Sequence, residues 1–332
     1  MRAVVYRKHT GLRREDRPVP ALRTGEGLIR VRLAGICGTD LHLAEGKRQD
    51  APESLIPGHE FMGVVTEVAD PADRGLVGRR VVAEPIISCG QCPTCRRGHP
   101  HVCERLRVRG VHVDGVFAEY AAVAVDRIHP VADTLTDRAA VVTEPLAVAV
   151  HVVRRARPQV GDQVMVVGAG PIGLLVAQVA RLAGAGRVVV VEVSPGRLAM
   201  AAHLGFETLD ARDPALQDAG LGMDVVFEVS GSVLGIARAV RALRPRGTLL
   251  VVGFFPEPPP VLLAQVLLKE LEIRGSRVYA SGDFPAALGL LERGAVQVEP
   301  LISHVLPMAQ VTEAIGLCVR SADAMKVLLD VS

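Results

Sequence analysis

The 332-residue sequence has no tryptophan, three tyrosines and four lysines, and aromatic residues make up 3 % of it. Proteins that stack on nucleic-acid bases need aromatic and basic side chains on one face. The net charge of +2 also gives no general attraction to polyanions or anionic membranes. No long apolar run is present. The most apolar region, 164–191, is interrupted by Gly168, Gly170, Gly173, Arg181 and Gly184, whereas a membrane span needs about 20 mostly apolar residues. The opening "MRAVVYRKHT" has no apolar stretch followed by a small-residue cleavage site, so no signal peptide is expected. Repeats and low-complexity tracts are missing too. These absences argue against nucleic-acid and membrane partners and lead to the expectation of a cytoplasmic protein with reduced thiols.

Apolar residues, at 49 %, suit a well-packed globular protein, and the length predicts two domains. Four of the six cysteines fall in "SCGQCPTCRRGHPHVC", as Cys89, Cys92, Cys95 and Cys103. In a reducing compartment such clustering favours metal over disulfides. Two C-x2-C steps and a fourth thiolate can enclose one zinc ion, with Gly90, Pro93 and Gly98 making the turns. Four protein ligands leave no open position, so this site is expected to be structural.

Upstream, "GICGTDLH" and "GHEFMG" bring Cys37, His59 and Glu60, and "TEPLAVAVHVV" brings Glu144. A thiolate, an imidazole and a carboxylate suit zinc with a position kept for water or substrate. Further on, "VMVVGAGPIGLLVAQVARLAGA" reads as strand, glycine turn and helix. Gly168, Gly170 and Gly173, with Ile172 in the same turn, fit the G-x-G-x-x-G pattern in its required context. The helix N-terminus is expected to hold a pyrophosphate. A second apolar strand ends in Glu192 about twenty residues on, where an acidic side chain bonds the ribose hydroxyls. Such a side chain favours NAD over NADP, although Arg197 nearby could accept a 2′-phosphate. Ser230, Gly231 and Gly253 stand at or near the ends of later strands, where cofactors bind in doubly wound sheets.

In this order and combination the motifs resemble those of the zinc-dependent medium-chain alcohol and polyol dehydrogenases, over essentially the whole chain. The resemblance implies an α/β protein: a GroES-like β-barrel catalytic domain over 1–147, rejoined by 287–332, and a Rossmann doubly wound parallel sheet over 148–286 that binds NAD. It implies two zinc ions per chain. Cys37 and His59 would be ligands of the working zinc, with Glu60 or Glu144 completing it; an acidic residue at 144 is usual in the sorbitol, threonine and butanediol branch. Asp40 would orient the histidine, Thr39 would bond the substrate oxygen, and His42 would pass its proton outward. Cys318 is expected to be a buried small apolar residue.

Two features depart from the family pattern. "VGRRV" stands where an aspartate is common, in what reads as a surface turn. Tyr279 matches a tyrosine near the sorbitol dehydrogenase pocket, but Val278 replaces the adjacent arginine, with Arg277 nearby. The run from "EPIISCGQC" to "RGVHVDGVFAEY" is most similar to the sugar-acid branch, of the L-gulonate and L-galactonate 5-dehydrogenase type. The expected reaction is oxidation of a secondary alcohol of a polyol or sugar acid to a ketone by a homodimer or homotetramer. A simple secondary-alcohol, butanediol or threonine dehydrogenase is the alternative within the family. The rivals outside it are a zinc-stabilised nucleic-acid-binding protein and a metal-free quinone reductase, which would need neither Cys37, His59 and Glu60 nor the cysteine cluster.

Overall fold

The computed structural model describes residues 1–332 except 9, 215–219 and 322. The chain forms two compact units, Met1–Glu144 with Ala280–Ser332, and Pro145–Tyr279.

The first unit is built on a seven-stranded sheet. Its path runs through Ile128–Pro130, Arg80–Ala83, Glu60–Val68, Glu26–Gly35, Lys326–Asp330 and Ile302–Pro307, and Tyr120–Ala124 also pairs with Glu26–Gly35. Most pairings are antiparallel. A three-stranded sheet around Arg2–Arg7 adds Val4 and Val5 to the same core as Ile29, Val65, Phe117 and Leu329. The middle four residues of Arg2–Arg7 are all buried, so that strand is covered on both faces. Each such buried aliphatic side chain contributes about 1.5–3 kcal/mol over its exposed state.

The pairing of Glu26–Gly35 with Glu60–Val68 places Gly35 opposite Glu60, and the C-terminal strand sets Leu328 opposite Gly35. Three distant segments thus meet at the ends of neighbouring central strands. Gly35 leaves room there for the carboxylate, since a Cβ on it would come within 2.2 Å of Glu60 Oε2.

The second unit holds a six-stranded, all-parallel sheet in the order Glu207–Asp210, Arg187–Glu192, Gln163–Val167, Met223–Glu228, Leu243–Val251, Glu272–Gly275. In chain order this is 3-2-1-4-5-6, the doubly wound arrangement, with its switch point between the third and fourth strands of the list. The central strands "QVMVV" and "RVVVVE" are almost wholly buried, as expected where helices cover both faces. Among the described residues no helix is long and apolar enough to cross a membrane.

Candidate active site and metal centres

Cys92 caps the short helix Pro93–Arg96, accepting the Cys95 amide on its sulfur. Other amides approach the remaining sulfurs: Cys92 N lies 3.4 Å from Cys89 Sγ, and Cys89 N and Arg105 N lie 3.4 and 3.3 Å from Cys103 Sγ. Sulfur–sulfur separations of 4.0 Å (Cys89–Cys95), 3.9 Å (Cys92–Cys103) and 3.4 Å (Cys89–Cys103) match the edges of about 3.8 Å expected around one tetrahedral zinc with bonds of about 2.3 Å. Backbone N–H donors pull the Cys89 thiol down to about 6 and lower Cys92, whereas burial and then the neighbouring thiols push Cys95 up to about 12. Without a cation, four such groups cannot all ionise together. The donor set fits zinc.

The second cluster joins residues far apart in sequence. Cys37 stands at the N-cap of the helix Gly38–Ala44, and its amide donates to Asp40 Oδ2 at 2.9 Å. The other Asp40 oxygen accepts from Gly58 N at 3.2 Å, so one buried carboxylate ties the loop carrying Cys37 to the loop carrying His59. Asp40 Oδ1 also lies 4.0 Å from His59 Nδ1. The donor atoms of Cys37, His59 and Glu60 all lie within 4.8 Å of one another.

Glu144 stands outside that trio, buried in the first turn of the helix Thr143–Ala156. Burial pushes its carboxyl up to about 7, against the pull of His59 and with a further push from Glu60. His59 shows the opposite field: burial resists its charge, but Cys37, Asp40 and Glu144 raise it well above the usual imidazole value. The pocket favours positive charge at this point, and a thiolate–imidazole–carboxylate set fits zinc. Thr39 Oγ1 lies 4.0 Å from Cys37 Sγ, and both Thr39 and His42 are half-buried on the same short helix.

Sequence reasoning missed Lys326. Its ammonium donates to Glu60 Oε1 at 2.9 Å, to Glu60 Oε2 at 2.7 Å and to Ile36 O at 3.0 Å. Burial resists the charge, but Glu60 more than compensates, so the ammonium is held above its ordinary range. The available signal was a rare lysine opening an apolar strand.

In the second unit a cleft of about 770 Å³ is lined by Gly168, Gly170, Ile172, Gly173, Glu192, Arg197 and Ser230. Gly170 caps the helix Pro171–Leu182 without a side-chain bond, so the first amides stay available to an anion. Gly173 lets the helix close on the turn: a Cβ there would meet Gly168 O at 1.9 Å. Glu192 does more than face the cleft. Its carboxylate accepts from Ala169 N at 2.8 Å, Val193 N at 2.7 Å and Ser194 N at 3.1 Å, pinning the glycine turn to the following turn.

Three further arginines line the cleft, Arg212, Arg238 and Arg241. Arg212 pairs with Asp210 at 2.6 Å, and Arg238 donates to Ala211 O at 2.7 Å. The cleft wall includes Ser230 but neither Gly231 nor Gly253; those two pack on each other, since a Cβ on Gly253 would come within 2.3 Å of Gly231 N. Tyr279 is buried, Arg277 is exposed, and Val278 between them has φ of 45°, a strained value for a β-branched residue. Cys318 is half-buried on the helix Val311–Arg320 against the first unit's core.

Residues 23–133 match the model of the alcohol dehydrogenase GroES-like domain and 171–293 that of the zinc-binding dehydrogenase. The chain is 36 % identical over 319 residues to a 2-dehydro-3-deoxy-L-galactonate 5-dehydrogenase of Pseudoalteromonas atlantica, covering 93 % of each. It superposes on an Escherichia coli alcohol dehydrogenase complexed with cofactor NADH at a TM-score of 0.92, with 32 % identity and 99 % of both chains covered. A zinc-binding dehydrogenase of Sinorhizobium meliloti bound to NADP gives 0.93, at 29 % identity over 99 % of this chain and 98 % of that one. With a four-thiolate lobe and a Cys–His–Glu cluster within the first matched span, and all but the first strand of the doubly wound sheet within the second, the chain belongs to the zinc-dependent medium-chain alcohol and polyol dehydrogenase family.

Proposed function

We propose that this dehydrogenase oxidises a secondary alcohol of a polyol or sugar acid to a ketone with NAD. The observation that carries the reading is the meeting of Cys37, His59 and Glu60 donors within 4.8 Å, apart from a closed four-thiolate cluster. The Pseudoalteromonas relative, a sugar-acid dehydrogenase by name, supports the substrate class.

When bound, zinc would supply Lewis acidity, lowering the pKa of a coordinated hydroxyl far towards the neutral range. Cys37 and His59 would hold it, with Glu60 or Glu144 completing the set. NAD would supply the hydride acceptor. Asp40 holds the two ligand-bearing loops in register through the amides of Cys37 and Gly58 and faces the His59 ring, fixing its orientation. Thr39 takes the hydrogen bond of the substrate hydroxyl and relays its proton towards His42. Glu192 keeps the glycine turn in shape through three amides and retains one acceptor site, on Oε2, for a ribose hydroxyl, while the amides after Gly170 take the pyrophosphate. Tyr279 and Arg277 are the proposed substrate contacts.

The test is a screen of polyols and aldonates with NAD, followed at the NADH absorbance, on protein assayed for metal. Two zincs per chain with activity on this class is the expected result; one zinc or none, or reduction of quinones instead, refutes it. Glu192→Ala should raise KM for NAD about 10- to 150-fold, because hydrogen bonds to a charged group are worth about 1.5–3 kcal/mol. The four arginines of the cleft favour a second reading, use of NADP, and a wild type that prefers NADP would establish it.

We also propose a homo-oligomer in the cytoplasm. Leu263, Leu267 and Leu268 are 70–79 % exposed beside the edge strand Glu272–Gly275, a face that a second copy of the chain would cover. Sedimentation of a monomer at micromolar concentration would refute this.

A further inference from the structure

Glu228 ends the strand Met223–Glu228, in register with Val167, the residue before the glycine turn. It is 0 % exposed, and among the described residues it forms no ion pair. A buried carboxylate without a cation must be hydrogen-bonded. Glu228 Oε1 accepts from Ser230 N at 3.0 Å, Gly231 N at 3.1 Å and the Ser230 hydroxyl at 2.5 Å. The last is the length of a charge-assisted O–H···O⁻ bond. Burial pushes the Glu228 carboxyl above its ordinary range, and the Ser230 and Gly231 donors pull against it. Glycines keep space for the pair. A Cβ on Gly235 would lie 2.5 Å from Ser230 Oγ, and one on Gly168, in the cofactor turn, 3.1 Å from Ser230 N. Ser230 itself is exposed on the cleft wall.

A hydroxyl has one donor and two acceptor sites. Ser230 gives its proton to Glu228, and one acceptor site takes the Ser232 amide at 3.2 Å. One acceptor site remains. Resting on the NAD reading above, we propose that Glu228 and Ser230 act as a carboxylate–hydroxyl pair that positions the cofactor, offering this last site to a hydroxyl or amide N–H of the dinucleotide. The carboxylate keeps the serine proton turned into the protein, so the hydroxyl meets the cofactor as an acceptor only. It also polarises the O–H bond and strengthens the oxygen as an acceptor, since hydrogen bonds in a chain reinforce one another. Glu228 is thus a counterpart of Glu192. The two end the strands on either side of Gln163–Val167, and each accepts amides of the turn that follows its own strand. Glu192 lines the cleft and reaches the cofactor directly, whereas Glu228 is fully covered and acts through the serine.

The test is direct titration of the metal-replete enzyme with NADH, followed by its fluorescence, with Tm recorded for each variant. Ser230→Ala deletes the hydroxyl; Glu228→Gln keeps the shape and removes the charge. Ser230→Ala should raise the Kd for NADH about tenfold at little change in Tm, the scale of one hydrogen bond strengthened by a charge. Glu228→Gln should raise it about threefold, since a neutral partner gives roughly half the bond strength. In the Ser230→Ala background Glu228→Gln should lose most of its effect, because the two side chains act as one unit. Parallel titrations with AMP and ADP-ribose locate the partner. Weaker AMP assigns it to the adenosine half, weaker ADP-ribose with unchanged AMP to the second ribose, and weaker NADH alone to the nicotinamide amide. If Glu228→Gln does not fold, Ser230→Cys, which keeps the shape but offers a weak acceptor, should match Ser230→Ala. An unchanged Kd for all three ligands in Ser230→Ala overturns the inference. So does a Glu228→Gln effect of equal size with and without the Ser230 hydroxyl, which would make Glu228 a support of the fold alone. A wild type that binds neither NADH nor NADPH would instead refute the cofactor reading beneath it.

Discussion

The two metal-ligand clusters of the first unit solve different problems with different materials. The lobe uses four like donors from 15 residues of chain, with backbone amides directed at the sulfurs. It has no open position, and its chemistry ends with binding. The other cluster draws Cys37, His59, Glu60 and Lys326 from three segments and surrounds them with buried charges, Asp40 and Glu144 among them. A symmetric soft set binds and stays bound. The mixed set is not closed in this way, since its carboxylate is also bonded to a buried lysine.

The comparison breaks most decisively at His59. His59→Ala should remove one zinc of two and reduce turnover by about 10³-fold or more, the scale of several kcal/mol of lost electrostatic stabilisation, while the lobe zinc remains. Metal analysis beside steady-state kinetics checks this, and loss of both zincs would erase the distinction between the clusters. Thr39→Val follows. It preserves shape and deletes the hydroxyl, so turnover should fall about 10²–10⁴-fold, as for loss of an acid–base relay, with zinc content and NAD binding normal. A near-wild-type rate would remove Thr39 from the proton path.

At the lobe the sign of the expectation reverses. Cys92→Ser should leave the chemistry of surviving enzyme nearly unchanged but cost about 3 kcal/mol or more, because zinc binding there is folding energy. For a unit of this size that lowers Tm by roughly 6–12 °C, readable by calorimetry. A specific-activity loss with no change in Tm would assign the lobe a catalytic part.

Gly35→Ala is a smaller probe. Its methyl would collide with Glu60 Oε2, so overpacking should cost about 1–3 kcal/mol and weaken metal retention at the working cluster alone. His42→Gln should be the mildest, under about tenfold in turnover, since water can replace an outer relay.

Much of this was legible before any coordinates. The lobe's ligands lie within 15 residues, so their spacing is itself the geometry. The glycine turn is likewise local, and the unbroken valine runs of its flanking strands follow from burial on both faces. Glu192 was legible as a cofactor contact but not as the clamp that accepts three amides, because those bonds depend on how the turn closes after Gly168. Arg212, Arg238 and Arg241 carry no motif and reach the cleft through the packing of separate βα units.

By itself, then, the sequence determined the ligand types, the two kinds of cluster and the doubly wound pattern, each encoded in short-range spacing and periodicity. Only tertiary structure decided that Lys326, 266 residues from Glu60 and 290 from Ile36, would be the partner of a metal-site carboxylate. The reason is sheet register. Lys326–Asp330 pairs with Glu26–Gly35, which pairs with Glu60–Val68, and strand pairing across such separations is set by the core those strands enclose, not by any residue near the lysine.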